Sequence, residues 1–189
     1  MRTVIYRQLR ESELAEASRQ LTASYRAAYR GLMDEAYLTS LQEDHWVEIL
    51  QASMERGDIC LVAVDGDTIV GAAVCGRSEG RGDQDCAELY AIYLLPEYTE
   101  HGAGHGLYCE IEARMRAQGF RSCVLEVLSS NARAIRFYEA HGFEKICSFM
   151  VEENGMNLSC DLMQKAQLQL IMQTHSLKTQ VLQNSRLRQ

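Results

Sequence analysis

The segment from Tyr90 to Gly106 constrains the fold more than any other: Tyr-Ala-Ile-Tyr-Leu-Leu-Pro-Glu-Tyr-Thr-Glu-His-Gly-Ala-Gly-His-Gly. It opens as a strand rich in aromatic and branched residues. The only proline, Pro96, ends that strand, and three alternating glycines then lead into a helix that stops at Gly119. A strand turned by proline into a glycine-led helix belongs to a layered α/β domain. Glycines here let the backbone approach a ligand and leave the first-turn N–H groups free. With the helix dipole, those groups make an anion site suited to a pyrophosphate. Small residues serve equally where a helix packs tightly on a sheet, and both readings stand at this point. The spacing is not the dinucleotide Gly-x-Gly-x-x-Gly, and no Gly-Lys-Ser/Thr follows, which excludes a P-loop.

The flanking sequence completes the pattern. Val4 to Leu9 reads as an opening strand, and Ser12 is placed to cap a helix over about 13–30. Asp34 to Leu41 is a short second helix, and Asp44 is placed to cap a third that ends near Gly57. Two apolar runs, 59–64 and 68–75, are joined by Asp65-Gly66-Asp67, a strong hairpin signal. A polar loop spans 76–85. Strands follow over 87–94 and 122–128, a helix over 132–140, and a last hairpin turns at Asn154-Gly155. The order β-α-α-α-β-β-β-α-β-α-β-β predicts one α/β domain over 1–163. The remainder, 164–189, is Gln-rich and lacks acids. It predicts a basic tail, helical or disordered, or docked on the acidic body or a second subunit of a homodimer.

Composition removes whole classes. A net charge of −7 disfavours a nucleic-acid binder. No run of 18 apolar residues exists to span a membrane, and the N-terminus lacks the apolar core of a signal peptide. Seven scattered cysteines without Cys-x-x-Cys read as reduced thiols in a cytoplasmic protein, with neither a disulfide frame nor a metal site.

The second half carries the decisive pattern. Asn131-x-x-Ala134-x-x-Phe137-Tyr138-x-x-x-Gly142-Phe143 follows a strand and a polar turn. With the segment at 90–107, in that order and separation, the chain resembles the GNAT superfamily of N-acetyltransferases from Val4 to about Leu162. The resemblance implies a mixed, mostly antiparallel central sheet with helices on both faces. Two parallel strands, 87–94 and 122–128, splay at their C-terminal ends to hold acetyl-CoA as co-substrate, without a metal. It implies that Ile92, Tyr93 and Leu94 pair with the pantetheine arm. The turn from Thr99 and Glu100 through His101, Gly102, Ala103, Gly104, His105 and Gly106 wraps the pyrophosphate. Asn131 and Phe137 stand beside the cofactor, and Tyr138 lies near the thioester sulfur. One departure stands out: the family pattern starts this turn with Arg or Gln, whereas this chain has Thr99 and Glu100. His101 and His105 compensate when protonated, which predicts tighter acetyl-CoA binding at pH 6 than at pH 8.

Acetyl transfer needs a proton donor for the departing thiolate and a neutral amine. Tyr138 is the expected donor. Glu88 is the expected base or cation anchor, because Glu88, Tyr90 and Ile92 share one strand face by the period of two. Tyr25, Tyr29, Glu35 and Tyr90, with further acids in the 76–86 loop, are the expected acceptor contacts. Acids beside aromatics suit a cationic small-molecule or peptide amine. A non-catalytic acyl-CoA-binding protein on the same fold is the alternative reading.

Overall fold

The structure is a computed structural model that describes residues 3–81, 83–99 and 102–168. Seven strands form one sheet in the order β1-β2-β3-β4-β5-β7-β6. They are β1 Val4–Gln8, β2 Ile59–Asp65, β3 Thr68–Arg77, β4 Cys86–Leu94, β5 Ser122–Leu128, β6 Glu144–Glu153 and β7 Met156–Lys165. Among the described residues five α-helices accompany them: α1 Leu14–Tyr29, α2 Glu35–Ser40, α3 Val47–Glu55, α4 Ala103–Ala117 and α5 Ala132–Ala140. All neighbouring strands run antiparallel except β4 and β5. The element order is the one the sequence predicts.

Alternation of apolar residues dictates a two-faced sheet with a core on each side. On one face α4 lays Leu107, Ile111 and Met115 against Leu61, Ala73, Leu89 and Leu125. On the other face α1 and α3 pack Leu14, Leu21 and Leu50 on Val62, Ala72 and Val74. A third cluster joins Tyr25 and Leu38 to Leu128 and Cys160 at the far end of that face.

Two expected helix caps do not form. Ser12 lies inside a 3-10 turn over Glu11–Glu13, and α1 begins after Glu13. The Glu13 carboxylate accepts instead from the Arg10 N–H and both Arg7 guanidinium nitrogens. Asp44 does not cap α3. The helix has no side-chain cap; the N–H of its N-cap residue Trp46 donates to Ser18 Oγ on α1, 3.0 Å away, which ties the start of α3 to α1. Asp34 does cap α2, accepting from Tyr37 N at 2.8 Å.

The expected face of β4 is also corrected. Val74 pairs Ala91 but Cys75 pairs Leu89, so Tyr90 is an extra residue, a β-bulge. The bulge rephases the strand. Ala87, Leu89, Ile92 and Leu94 all meet the α4 core, while Ala91 and Tyr93 meet the α1–α3 core. Glu88 therefore shares a face with Tyr93, not with Ile92.

β7 runs to Lys165, and Leu168 is buried with its N–H on Arg121 O. The rest of the basic tail, with its expected docking on the body or a second subunit, lies outside the described residues. Lys165 Nζ reaches Glu112 Oε2 of α4 at 2.8 Å and also donates to the Tyr108 hydroxyl. Both charged side chains are about nine-tenths buried. Removing one partner of such a pair costs about 3–5 kcal/mol, whereas replacing both with apolar residues is often neutral. Lys165→Met is expected to lose that much in urea unfolding, and Lys165→Met combined with Glu112→Leu to recover most of it.

Candidate active site

The parallel pairing of β4 and β5 stops after Cys86–Ser122, Ala87–Cys123 and Glu88–Val124. Beyond that point β4 continues beside β3 and β5 beside β7, and the two strands separate. The gap opens at their C-terminal ends, where α4 and α5 begin, the usual place for a ligand between parallel strands. Unpaired β4 and β5 backbone facing each other leaves hydrogen-bonding groups for an extended ligand.

The α4 side of the gap is built by glycines. Gly102 caps the helix with φ +80°, in the left-handed region that favours glycine. Gly106 N–H takes Gly102 O at 3.0 Å, and the N–H groups of Ala103, Gly104 and His105 precede it on the first turn. A Cβ on Gly104 would touch Phe137 at 3.5 Å and Leu94 at 3.7 Å, which is ordinary contact. A Cβ on Gly106 would overlap the phenol of Tyr6, whose hydroxyl donates to Ala103 O at 3.2 Å. One glycine of the expected turn is thus required for packing, and another is not. Thr99 closes the turn after Pro96, donating to Pro96 O at 2.6 Å. Glu100 and His101 lie outside the described residues.

The α5 side is set by Asn131, whose side-chain oxygen accepts from Ala134 N at 3.1 Å and starts the helix. Its Nδ2 protons remain as donors. One and two turns on, Ala134 and Phe137 pack on the α4 core. Tyr138 follows, half-buried, with its ring 5.5 Å from Phe137 and 5.8 Å from Phe143. Burial pushes the Tyr138 phenol well above its ordinary range, and the nearby Tyr29 phenol adds to this.

Tyr29, Tyr93 and Tyr138 come together. Tyr29 and Tyr93 share a 2.9 Å hydroxyl contact, and burial raises both phenols. Tyr25 stands behind them in the core, its ring 4.5 Å from Tyr29 and 5.7 Å from Tyr93, with its hydroxyl directed to Met33 sulfur. An apolar pocket of about 160 Å³ shares Tyr93 with this cluster and is walled by Leu21, Trp46, Leu50 and Ala91. Tyr90 stands exposed at its rim, its hydroxyl on Arg77 O at 3.0 Å.

Other predicted residues stand apart. Glu35 is exposed on the first turn of α2. The carboxylate that reaches the tyrosines is Glu153 of β6, which accepts from the Tyr37 hydroxyl at 3.4 Å; burial raises the Tyr25, Tyr29 and Tyr37 phenols, and Glu153 adds to this. Glu88 accepts from Ser78 Oγ at 3.2 Å and lies 3.8 Å from Arg81. Arg81 also pairs with Glu126 of β5 and lies over the Phe149 ring at 5.5 Å. Glu126, Glu153 and Arg81 have no local motif, and only the sheet order brings them near Glu88 and Tyr37. Among the described residues, no group of three or more His, Cys, Asp or Glu is arranged to hold a metal, and no helix is long and apolar enough to cross a membrane.

The acetyltransferase (GNAT) family model matches residues 20–143, about two-thirds of the chain. The chain belongs to this family. The chain is 29% identical to the uncharacterized N-acetyltransferase YuaI of Bacillus subtilis, over 82% of this chain and 88% of that protein. It is 30% identical to the spermidine N(1)-acetyltransferase of Thermoplasma acidophilum, over 69% of this chain and 80% of that one. Among solved structures, the PaiA N-acetyltransferase of Thermoplasma acidophilum, in complex with coenzyme A, superposes with a TM-score of 0.68 at 24% identity, covering 87% of this chain and 99% of that chain. The sheet order, the splayed parallel pair and the helices on both faces are thus those of a GNAT fold, and the protein is an acyl-CoA-dependent N-acetyltransferase.

In this GNAT enzyme Gly104 and Gly106 differ in what a side chain would meet. Gly106→Ala must displace the Tyr6 ring and is expected to cost about 1–3 kcal/mol in thermal unfolding. Gly104→Ala is expected to keep or raise stability, because alanine gains up to about 1 kcal/mol in a helix. If Gly104 serves cofactor approach, that variant weakens coenzyme A binding in calorimetry while its melting temperature holds.

Proposed function

We propose that the enzyme moves the acetyl group of acetyl-CoA directly to a primary amine, with both substrates bound together in the gap between β4 and β5. The observation that carries this reading is the early end of the β4–β5 ladder, with α4 following β4 and α5, which carries Tyr138, following β5. The α4 turn faces its N–H groups to the diphosphate, and the β4 edge from Ile92 to Leu94 pairs with the pantetheine arm. Asn131 Nδ2 donates to the same arm.

Holding both substrates in one cleft supplies much of the rate through orientation. The amine nitrogen attacks the thioester carbonyl, forming a C–N bond and an oxyanion. A backbone N–H near Leu94 donates to that oxyanion. The Leu95 N–H is already taken by Val70 O at 2.9 Å, so the donor lies on β4 itself. On collapse the C–S bond breaks, and Tyr138 gives its proton to the thiolate. Its raised pKa keeps the phenol protonated across the working range, while making it a weaker acid than an ordinary phenol. The amine proton leaves through Glu88 or a water held by it, and water returns a proton to Tyr138.

The acceptor side favours a positively charged small-molecule or peptide amine. Glu88 and Glu126 meet at Arg81, which lies over the Phe149 ring, and Glu153 separately accepts from Tyr37; acids beside aromatic faces suit an ammonium group. The spermidine acetyltransferase among the relatives acts on such an amine by its name, which supports the same class here. Seven free thiols, five of them buried, fit a reducing compartment, and we place the enzyme in the cytoplasm.

Calorimetry with acetyl-CoA tests the cofactor half, and micromolar affinity is expected; no binding up to millimolar ligand would remove the reading. Tyr138→Phe is then expected to lower kcat by about 10²–10⁴-fold with acetyl-CoA affinity unchanged. Glu88→Gln is expected to lower the rate and shift its pH profile; an unshifted profile rejects Glu88 as base and leaves it as a cation anchor.

A further inference from the structure

Three side chains at the α4 end of the cofactor cleft form one hydrogen-bonded line. His105, on the first turn of α4, sets Nδ1 3.0 Å from Nε2 of His141, the residue that follows α5. His141 sets Nδ1 2.7 Å from the Phe137 carbonyl oxygen. A carbonyl only accepts, so His141 Nδ1 carries a proton. A neutral His141 then has a bare Nε2, which accepts the Nδ1 proton of His105. His105 Nε2 lies 3.5 Å from Cys109 Sγ. It accepts the thiol proton when the ring is neutral and donates to sulfur when the ring is charged. The pair has room for one extra proton, because two charged rings would oppose N–H to N–H across the 3.0 Å contact.

Burial decides which ring keeps that proton. His141 is half-buried between the rings of Tyr108 and Phe137, 4.2 and 4.3 Å away, and desolvation lowers its pKa. His105 is exposed. The charge therefore settles on His105, beside the first-turn N–H groups. A cation at a helix N-terminus is unfavourable alone, and an anion bound there reverses the sign. Other ionisable groups stand around the line. From β1, Tyr6 is raised further by burial. On α4, burial raises the Cys109 thiol, with the Arg116 guanidinium nearby. Glu112 of α4 and Lys165 of β7 neutralise each other as a buried pair.

We propose that His105 is the diphosphate-binding cation of this acetyltransferase and that His141 is its positioning residue, so that coenzyme A binding takes up a proton. The inference rests on the α4 turn being the diphosphate site, as proposed above. It supplies a positive charge where Thr99 and Glu100 replace the basic or amide residues of the family pattern.

Coenzyme A is titrated by calorimetry from pH 5.5 to 8.5, each time in two buffers of different ionisation enthalpy. Binding is expected to be about fivefold tighter at pH 6 than at pH 8, as befits a charge worth about 1 kcal/mol at a helix end, with net proton uptake. Pantetheine, which lacks the diphosphate, is expected to bind without pH dependence. His105→Ala should still bind coenzyme A but lose the pH dependence and the uptake. His141→Leu should move the pH midpoint downward. His141→Gln should restore it, since its amide can donate to Phe137 O and accept from His105. Retained uptake in His105→Ala, or a midpoint unmoved in His141→Leu, overturns the assignment. No coenzyme A binding at any pH removes the cofactor reading and this one with it, whereas pH-independent binding removes only the histidine role.

Discussion

The structure turns on a ladder that stops early. β4 and β5 pair at only three positions and then part, leaving backbone donors and acceptors of both strands facing a gap. Buried peptide groups without partners are costly, so such a gap persists only where the strands are held from their other sides. Here β3 holds β4 along its length and β7 holds β5 to its end. The bulge at Tyr90 turns Ile92 and Leu94 into the α4 core while Tyr93 enters the opposite one, so the free stretch of β4 is anchored through both faces.

Helix α4 is fixed with the same care. Its first turn is held by the Tyr6 phenol from β1 and backed by Phe137 from α5, and its middle by Lys165 from β7. The N–H groups that end the helix are thereby presented at a set distance from the strands. Binding to such a rigid surface spends little on ordering the protein, which leaves more of the interaction free energy as affinity.

Most of the element order was legible in the sequence because it rests on local signals. Asp65-Gly66-Asp67 and Asn154-Gly155 turn the two hairpins, and Gly66, Asn154 and Gly155 all adopt positive φ. Pro96 and Gly102 mark the passage from β4 to α4. Features made by distant partners were not legible. Ser18 Oγ holds the Trp46 N–H at the start of α3 from another helix, and no local pattern announces that. The bulge at Tyr90 shifts a face without altering the run of β-prone residues. Glu153 meets Tyr37 only because β6 lies at the edge of the sheet over the α1–α2 end, and His141 meets His105 only because α4 and α5 start from adjacent parallel strands. The motif that contains Tyr138 is a local pattern, while the contacts around it are set by topology.

The position of β7 bears on how the chain acquires its structure during synthesis. This strand, the last among the described residues, sits inside the sheet, between β5 and β6, and carries the cation that meets α4 in the core. Until it emerges from the ribosome, β5 has an open edge, β6 has no partner, and Glu112 of α4 lacks Lys165. The cleft is therefore completed from its C-terminal side. Pairings of long sequence separation form slowly and expose strand edges while they wait. The nascent enzyme is thus most vulnerable to association through β5 and β6 in the interval before β7 is released.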